Sequence, residues 1–201
     1  MFNALFLTLV AYLLGSLPFG VWLGWLLIGH DIRQGGSGHT GGTNVVRQAG
    51  WGAGVVVAVL DVAKGFAAAW LARRYGHSQW AVVAAAGAVV AGHCWPILAG
   101  FRGGMGLSAA GGAMLAIYPL GFVIGLGLAT AGTLALRHSA RGNAAAGLLF
   151  GPAVGLVSGS ATAGAAGLAV GILVALRAAA DWRRAYRELW LDRERADPQS
   201  P

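Results

Sequence analysis

Residues 103–136 read GGMGLSAAGGAMLAIYPLGFVIGLGLATAGTLAL, a run of 34 residues without a charged side chain. A helix needs about 20 apolar residues to cross the hydrocarbon of a bilayer. The run is therefore too long for one crossing and slightly short for two full ones. Tyr118-Pro119 near its middle supplies a break, because proline ends or kinks the helix that reaches it. The stretch reads as a hairpin of two short or tilted helices. Residues 142–176 repeat the pattern over 35 uncharged positions, with Ser158-Gly159-Ser160 as the turn.

Working outward, residues 4–28 carry no charge for 25 positions, enough for about 37 Å of helix. Residues 50–72 are apolar apart from Asp61 and Lys64, and 80–100 hold only His93. The fold class that follows is all-α: a polytopic transmembrane helix bundle of about seven short spans. The bundle is expected over 1–177, with a cytoplasmic tail over 178–201. Composition agrees, with 57% of residues hydrophobic and 10% charged, which excludes an ordinary soluble domain. One cysteine, Cys94, excludes an internal disulfide. Residues 1–20 lack a basic leader region, so the first span is expected to remain in the mature chain.

Arginine sets the orientation. With seven spans, Arg33, Arg47, Arg102, Arg137, Arg141 and the tail arginines share one face, against Arg73 and Arg74 on the other. The positive-inside rule assigns the richer face to the cytoplasm. Small residues recur every fourth position, as in Ser16/Gly20/Gly24, Gly147/Gly151/Gly155/Gly159 and Gly167/Gly171. They read as surfaces where helix backbones pack closely in lipid.

Three polar islands remain. Residues 30–47 read HDIRQGGSGHTGGTNVVR, with five glycines between 35 and 42. Successive backbone N–H groups turned inward bind anions, and Arg33 and Arg47 bracket them with donors suited to phosphate. Asn44 to Arg47 read as the start of the next helix, whose dipole favours the same ligand. A flexible interfacial linker is the competing reading. No Gly-Lys-Ser/Thr follows, so the loop is not a nucleotide-binding P-loop. Asp61 and Lys64, three apart, face the same way on a helix and read as a salt bridge that also shapes a polar pocket. The third island joins Gly92-His93-Cys94-Trp95-Pro96 to Phe101-Arg102-Gly103-Gly104-Met105-Gly106, with His93 as a proton carrier, a donor to phosphate or a structural spacer. Its Arg-Gly-Gly repeats the cradle logic on the same side of the membrane. No metal-ligand spacing is present, and no cofactor and no nucleic acid partner is expected.

These islands resemble the PlsY-type acyl-phosphate:glycerol-3-phosphate acyltransferases of bacterial membranes. The likeness runs through Gly15 to Gly20, Asp31-Ile32-Arg33, Gly36 to Arg47, Asp61 to Gly65, Gly92-His93 and Gly103-Gly104. The resemblance implies a seven-helix enzyme of the bacterial cytoplasmic membrane, its site facing the cytoplasm and the chain acting as a monomer. It implies transfer of an acyl group from acyl phosphate to the 1-hydroxyl of glycerol 3-phosphate, giving lysophosphatidic acid. Ser37 and His93 are then the catalytic candidates. Gly36, Gly38, Thr43, Asn44, Arg47, Arg102, Gly103 and Gly104 bind phosphate, with Arg33, Asp61 and Lys64 in support. Three positions depart from the family pattern. His39 stands for asparagine, Met105 for lysine, and Ala178 for the histidine of a His-x-x-Asn motif; Arg137 to Asn143 match a serine-containing stretch loosely, through Ser139. Arg141 or Arg177 is a candidate replacement for the lysine charge, and His39 or His138 for the imidazole. The alternatives are a catalytically impaired relative that binds lipid precursors or a partner acyltransferase, and a small transporter of phosphorylated solutes. Trp182, Tyr186 and Trp190 space the tail as a surface amphipathic helix.

Overall fold

The computed structural model describes residues 2–184. Eight helices follow one another: α1 (Phe2–Gly15), α2 (Phe19–Ile28), α3 (Gly42–Tyr75), α4 (Gln79–Cys94), α5 (Leu107–Ile117), α6 (Pro119–Leu136), α7 (Ser139–Ser158) and α8 (Ala161–Ala179). Short 3-10 turns sit at Ile32–Gln34 and Ile97–Ala99. Among the described residues there is no strand. Five segments are long and apolar enough to cross a membrane: Phe2–Ile28, Gly42–Tyr75, Gln79–Ala99, Pro119–Leu136 and Ala161–Ala179. α5 is a shorter apolar helix of 11 residues. α7, of 20 residues, carries Arg141 and Asn143 in its first turns. With α1 and α2 counted as one broken span, the described residues make seven helical passes.

Both expected turns are present. Pro119 opens α6 directly after Tyr118, and Gly159, in the left-handed conformation, closes α7. Gly159 is thus part of the turn rather than of the α7 packing stripe. The first span breaks where Pro18 lacks an N–H, and Lys64 Nζ takes up the Leu17 carbonyl at 2.9 Å. The second span starts at Gly42, eight residues before the expected 50, and Gly50 (φ 86°, ψ 170°) kinks it. The residues before the kink form a short helical entry; those after it form the crossing.

The remaining small residues do bring backbones together. A Cβ on Gly15 would strike the Val89 carbonyl, and one on Gly92 the Tyr12 carbonyl, so α1 and α4 interlock reciprocally. Gly65 against Ala109 and Gly112 against Val62 join α3 to α5 in the same way. Gly147 and Gly171 face each other between α7 and α8, while Gly20 lies on the Thr40 carbonyl. In lipid, where apolar side chains gain nothing by leaving one hydrocarbon for another, this close approach supplies the cohesion. The core between α3, α4, α5, α7 and α8 holds Val89, Val90, Met114, Val154 and Val170. On α6 only Gly121 is fully buried, with Phe122, Ile124 and Leu128 half-buried on its inner side and the opposite side exposed. Exposed Trp22 and Trp25 near one end, and Trp70 and Trp80 near the other, match aromatic belts at two membrane interfaces.

Chain alternation puts the α2–α3, α4–α5 and α6–α7 connections and the end of α8 at one end of the bundle. That end carries the polar islands.

Candidate active site at the loop end of the bundle

The first island is a built loop rather than a loose linker. Gly36 (φ 55°) and Gly38 (φ 69°) adopt left-handed conformations on either side of Ser37. Only glycine enters that region freely, so the Gly-Ser-Gly triplet can double back and bury Ser37. The fold is held from within by Asn44, which is 1% exposed. Asn44 Oδ1 accepts from the Ser37 N–H at 2.8 Å. Its Nδ2 donates to the carbonyls of Ile32 at 3.0 Å, Gly35 at 3.3 Å and His39 at 2.8 Å. Gln48 Nε2 adds a bond to the Ile32 carbonyl at 2.7 Å. Asn44, expected at the phosphate, spends its amide on the loop backbone instead. Thr43 is exposed and Arg47 half-buried, one turn apart at the start of α3.

Arg33 also differs from expectation. Its guanidinium is paired with Asp31 at 2.7 Å rather than held open for an anion. The bond from Arg33 keeps the Asp31 carboxyl below the ordinary carboxylate range, against the opposing effect of burial. Arg33 Nη1 then crosses to the second island and donates to the carbonyls of Ala99 at 2.5 Å and Arg102 at 3.2 Å. Three donors of one planar fork therefore tie the two loops into a single mouth. Arg102 is exposed at its rim.

Gly103 and Gly104 are buried because His93 lies over them. The Gly104 N–H donates to the His93 carbonyl at 3.0 Å, and a Cβ at Gly104 would overlap the His93 ring. Behind that ring, His93 Nδ1 stands 3.5 Å from Asp61 Oδ1, which also meets Lys64 Nζ at 2.8 Å. The Asp61–Lys64 salt bridge expected from their spacing is present, and His93 joins it. All three side chains are nearly inaccessible to solvent.

The end of α8 closes the mouth. Asp181 Oδ2 lies 2.8 Å from His39 Nε2, and Arg177 and Arg184 approach the same carboxylate at 3.3 and 3.6 Å. Burial works to raise the Asp181 carboxyl, but the contact with His39 and the two arginine charges outweigh it and bring it down to about 2. Arg184 Nη2 also lies against Gly38. Arg141 Nε donates to the Trp182 carbonyl at 3.3 Å and its guanidinium faces the Trp182 ring. His138 caps α7 through Nδ1. Ala178 is fully buried, and Met105 half-buried. In the described part of the tail, 178–184, α8 ends at Ala179 and 180–183 form a turn; Tyr186, Trp190 and the expected surface helix over them lie outside the described residues. Asp181, Arg184 and Gln48 escaped the sequence reading. Gln48 looks like any helical glutamine, and nothing local connects residue 181 with residue 39.

Next to the mouth, a cavity of about 300 Å³ opens between α3, α5, α6, α7 and α8. Val62, Leu107, Phe122, Phe150 and Val174 line it. Val174 also touches the Gly106 position, so the apolar space begins where the second loop ends.

Fold and site together define a multi-pass integral membrane protein with a polar, arginine-bearing mouth beside an apolar slot. The glycerol-3-phosphate acyltransferase family profile matches residues 5–189, and the chain belongs to that family. The glycerol-3-phosphate acyltransferase of Anaeromyxobacter dehalogenans (strain 2CP-1 / ATCC BAA-258) is 38% identical over 192 residues, 90% of this chain and 92% of that one. The enzyme of the same name from Synechococcus sp. (strain CC9902) is 44% identical over 120 residues, 59% of this chain. That match spans only 60% of the Synechococcus relative. Among solved structures, PlsY (YgiH), an integral membrane glycerol 3-phosphate acyltransferase, superposes in its glycerol 3-phosphate form with a TM-score of 0.79. Identity there is 32% over 90% of each chain. The lysophosphatidic acid form gives a TM-score of 0.77 at 31% identity.

Proposed function

We propose that the protein transfers an acyl group from acyl phosphate to glycerol 3-phosphate, releasing phosphate and lysophosphatidic acid. It does so as a monomer in the bacterial cytoplasmic membrane, with the loop end facing the cytoplasm. The observation that carries this reading is the Arg33 bridge, which brings both glycine loops to one opening. Acceptor and leaving group each carry a phosphate, and each loop offers glycine backbone with an arginine nearby, Arg47 in the first and Arg102 in the second. On this reading Thr43, Arg47, Arg102, Gly103 and Gly104 receive phosphate oxygens. Gly36, Gly38 and Asn44 hold Ser37 in position. Ser37 anchors the reacting hydroxyl, and His93, backed by Asp61 and Lys64, is the second catalytic candidate. The apolar cavity beside Leu107 takes the acyl chain. Residues 1–177 supply the bundle, and the root of the 178–201 tail completes its mouth.

Acyl phosphate is already activated, so alignment and charge stabilisation are the main demands on the protein. The test is phosphate release by purified protein in lipidic mesophase, given acyl phosphate and glycerol 3-phosphate. Turnover well above that of Ser37→Ala supports the reading; release equal to that control overturns it. Met105 and Ala178 favour one other reading, an impaired relative that binds precursors without turnover. Tight glycerol 3-phosphate binding with no phosphate release would select it.

A further inference from the structure

Acyl transfer to a hydroxyl forms a bond between the hydroxyl oxygen and the carbonyl carbon and breaks the bond from that carbon to the phosphate oxygen. The hydroxyl proton must leave, and the departing phosphate accepts one. A group near Ser37 that takes and returns a proton would therefore serve the reaction. Three imidazoles lie at the loop end and are buried: His39, His93 and His138. His138 caps α7. His93 faces Asp61, which Lys64 already neutralises.

The third, His39, is the one closest to Ser37 along the chain. It sits two residues from Ser37 in the same loop, its own N–H 3.5 Å from Ser37 Oγ. Asn44 clamps its carbonyl and so fixes its backbone. Its ring nitrogen Nε2 faces the Asp181 carboxylate at 2.8 Å, with both side chains almost wholly buried. A carboxylate on one ring nitrogen selects the tautomer protonated there and stabilises the imidazolium that forms when the ring takes a proton.

We propose that His39, held by Asp181, is the catalytic base of this protein: it takes the proton from the acceptor hydroxyl as the new ester bond forms and returns it to the departing phosphate. Among the described residues, Arg177 on α8 and Arg184 beyond it are both directed at Asp181. Asp181 stays ionised throughout the range in which an imidazole titrates, because its carboxyl is held down to about 2. The inference rests on the acyl-transfer reading above.

The experiment follows phosphate release against pH for the parent protein, His39→Asn and Asp181→Asn. The parent should lose kcat/KM on the acid side as the imidazole protonates. In His39→Asn, kcat should fall at least about a hundredfold, KM for glycerol 3-phosphate should stay within about threefold, and the acid limb should vanish. A His39→Asn protein within threefold of the parent, or one that keeps the limb, overturns the proposal. If His39→Asn does not elute as a folded species, Asp181→Asn decides. There kcat should fall at least about tenfold while KM for glycerol 3-phosphate stays within about threefold, because the ring has lost the carboxylate that orients it; an unchanged kcat overturns the proposal. A parent no faster than Ser37→Ala removes the acyl-transfer reading and this inference with it, whereas an active parent with an unaffected His39→Asn removes this inference alone.

Discussion

Arg33 reaches across from the first loop to donate a 2.5 Å hydrogen bond to the carbonyl oxygen of Ala99 in the second. Because the same guanidinium is anchored on Asp31, the separation of the two loops is set by one rigid side chain. Lysine has the charge but a single donor head, and it cannot hold the carboxylate and two carbonyls together. Arg33→Lys should lower kcat/KM for glycerol 3-phosphate by about tenfold or more while costing about 1–2 kcal/mol of stability. Phosphate-release kinetics and thermal unfolding in detergent check both figures.

Asn44 is both donor and acceptor inside the loop, and aspartate keeps its shape but, when ionised, none of its donors. Asn44→Asp would point a carboxylate at the Ile32, Gly35 and His39 carbonyls. A loss of roughly 2–4 kcal/mol is expected from stranded buried groups. Thermal unfolding, together with faster proteolysis within 30–47, is the measurement.

Two neighbouring glycines should respond in opposite ways. Gly36→Ala needs a left-handed alanine and puts a Cβ onto Asn44 Oδ1. It should destabilise by about 1–3 kcal/mol. Gly41 has φ −77° and nothing within 4 Å of an added Cβ, so Gly41→Ala should unfold within about 0.5 kcal/mol of the parent or slightly later. Paired melting curves distinguish a built loop from a linker, in which both substitutions would be silent.

Asp61→Asn leaves the buried Lys64 ammonium without its carboxylate. Such single losses cost about 3–5 kcal/mol. Asp61→Leu combined with Lys64→Met removes both charges and should recover a good part of that stability, though the Leu17 carbonyl loses its donor. A thermal-unfolding double-mutant cycle reads the coupling; additive losses would count against a mutual salt bridge.

Asp181 has its carboxyl held at about 2 in the folded protein, against about 3.9 for an unfolded carboxylate. A lowered value means the stabilisation is full above about pH 4 and is lost as pH falls towards 2. Docking of 177–184 should therefore be unaffected between pH 5 and 7 and loosen only below about pH 4. Hydrogen exchange of that segment follows it directly, and Asp181→Asn should show the loosened state at neutral pH.

Much of the architecture is a local matter and was legible in the chain. Uncharged runs must cross lipid, Pro119 must end what precedes it, and Gly159 readily closes a helix. The pairings within the site were not legible in this way. Arg33 is read locally as a phosphate fork, but packing delivers it to Asp31 and Ala99. Asn44 is read as a ligand group, yet burial commits its amide to the loop. His39 and Asp181 belong to the first loop and to the end of the last helix, and they meet because α8 returns beside α4 and α5. Hydropathy and backbone preference depend on a residue and its near neighbours, so sequence alone determines spans and turns. Which buried charge meets which depends on how glycine-faced helices interlock in three dimensions, and that only the tertiary structure decided.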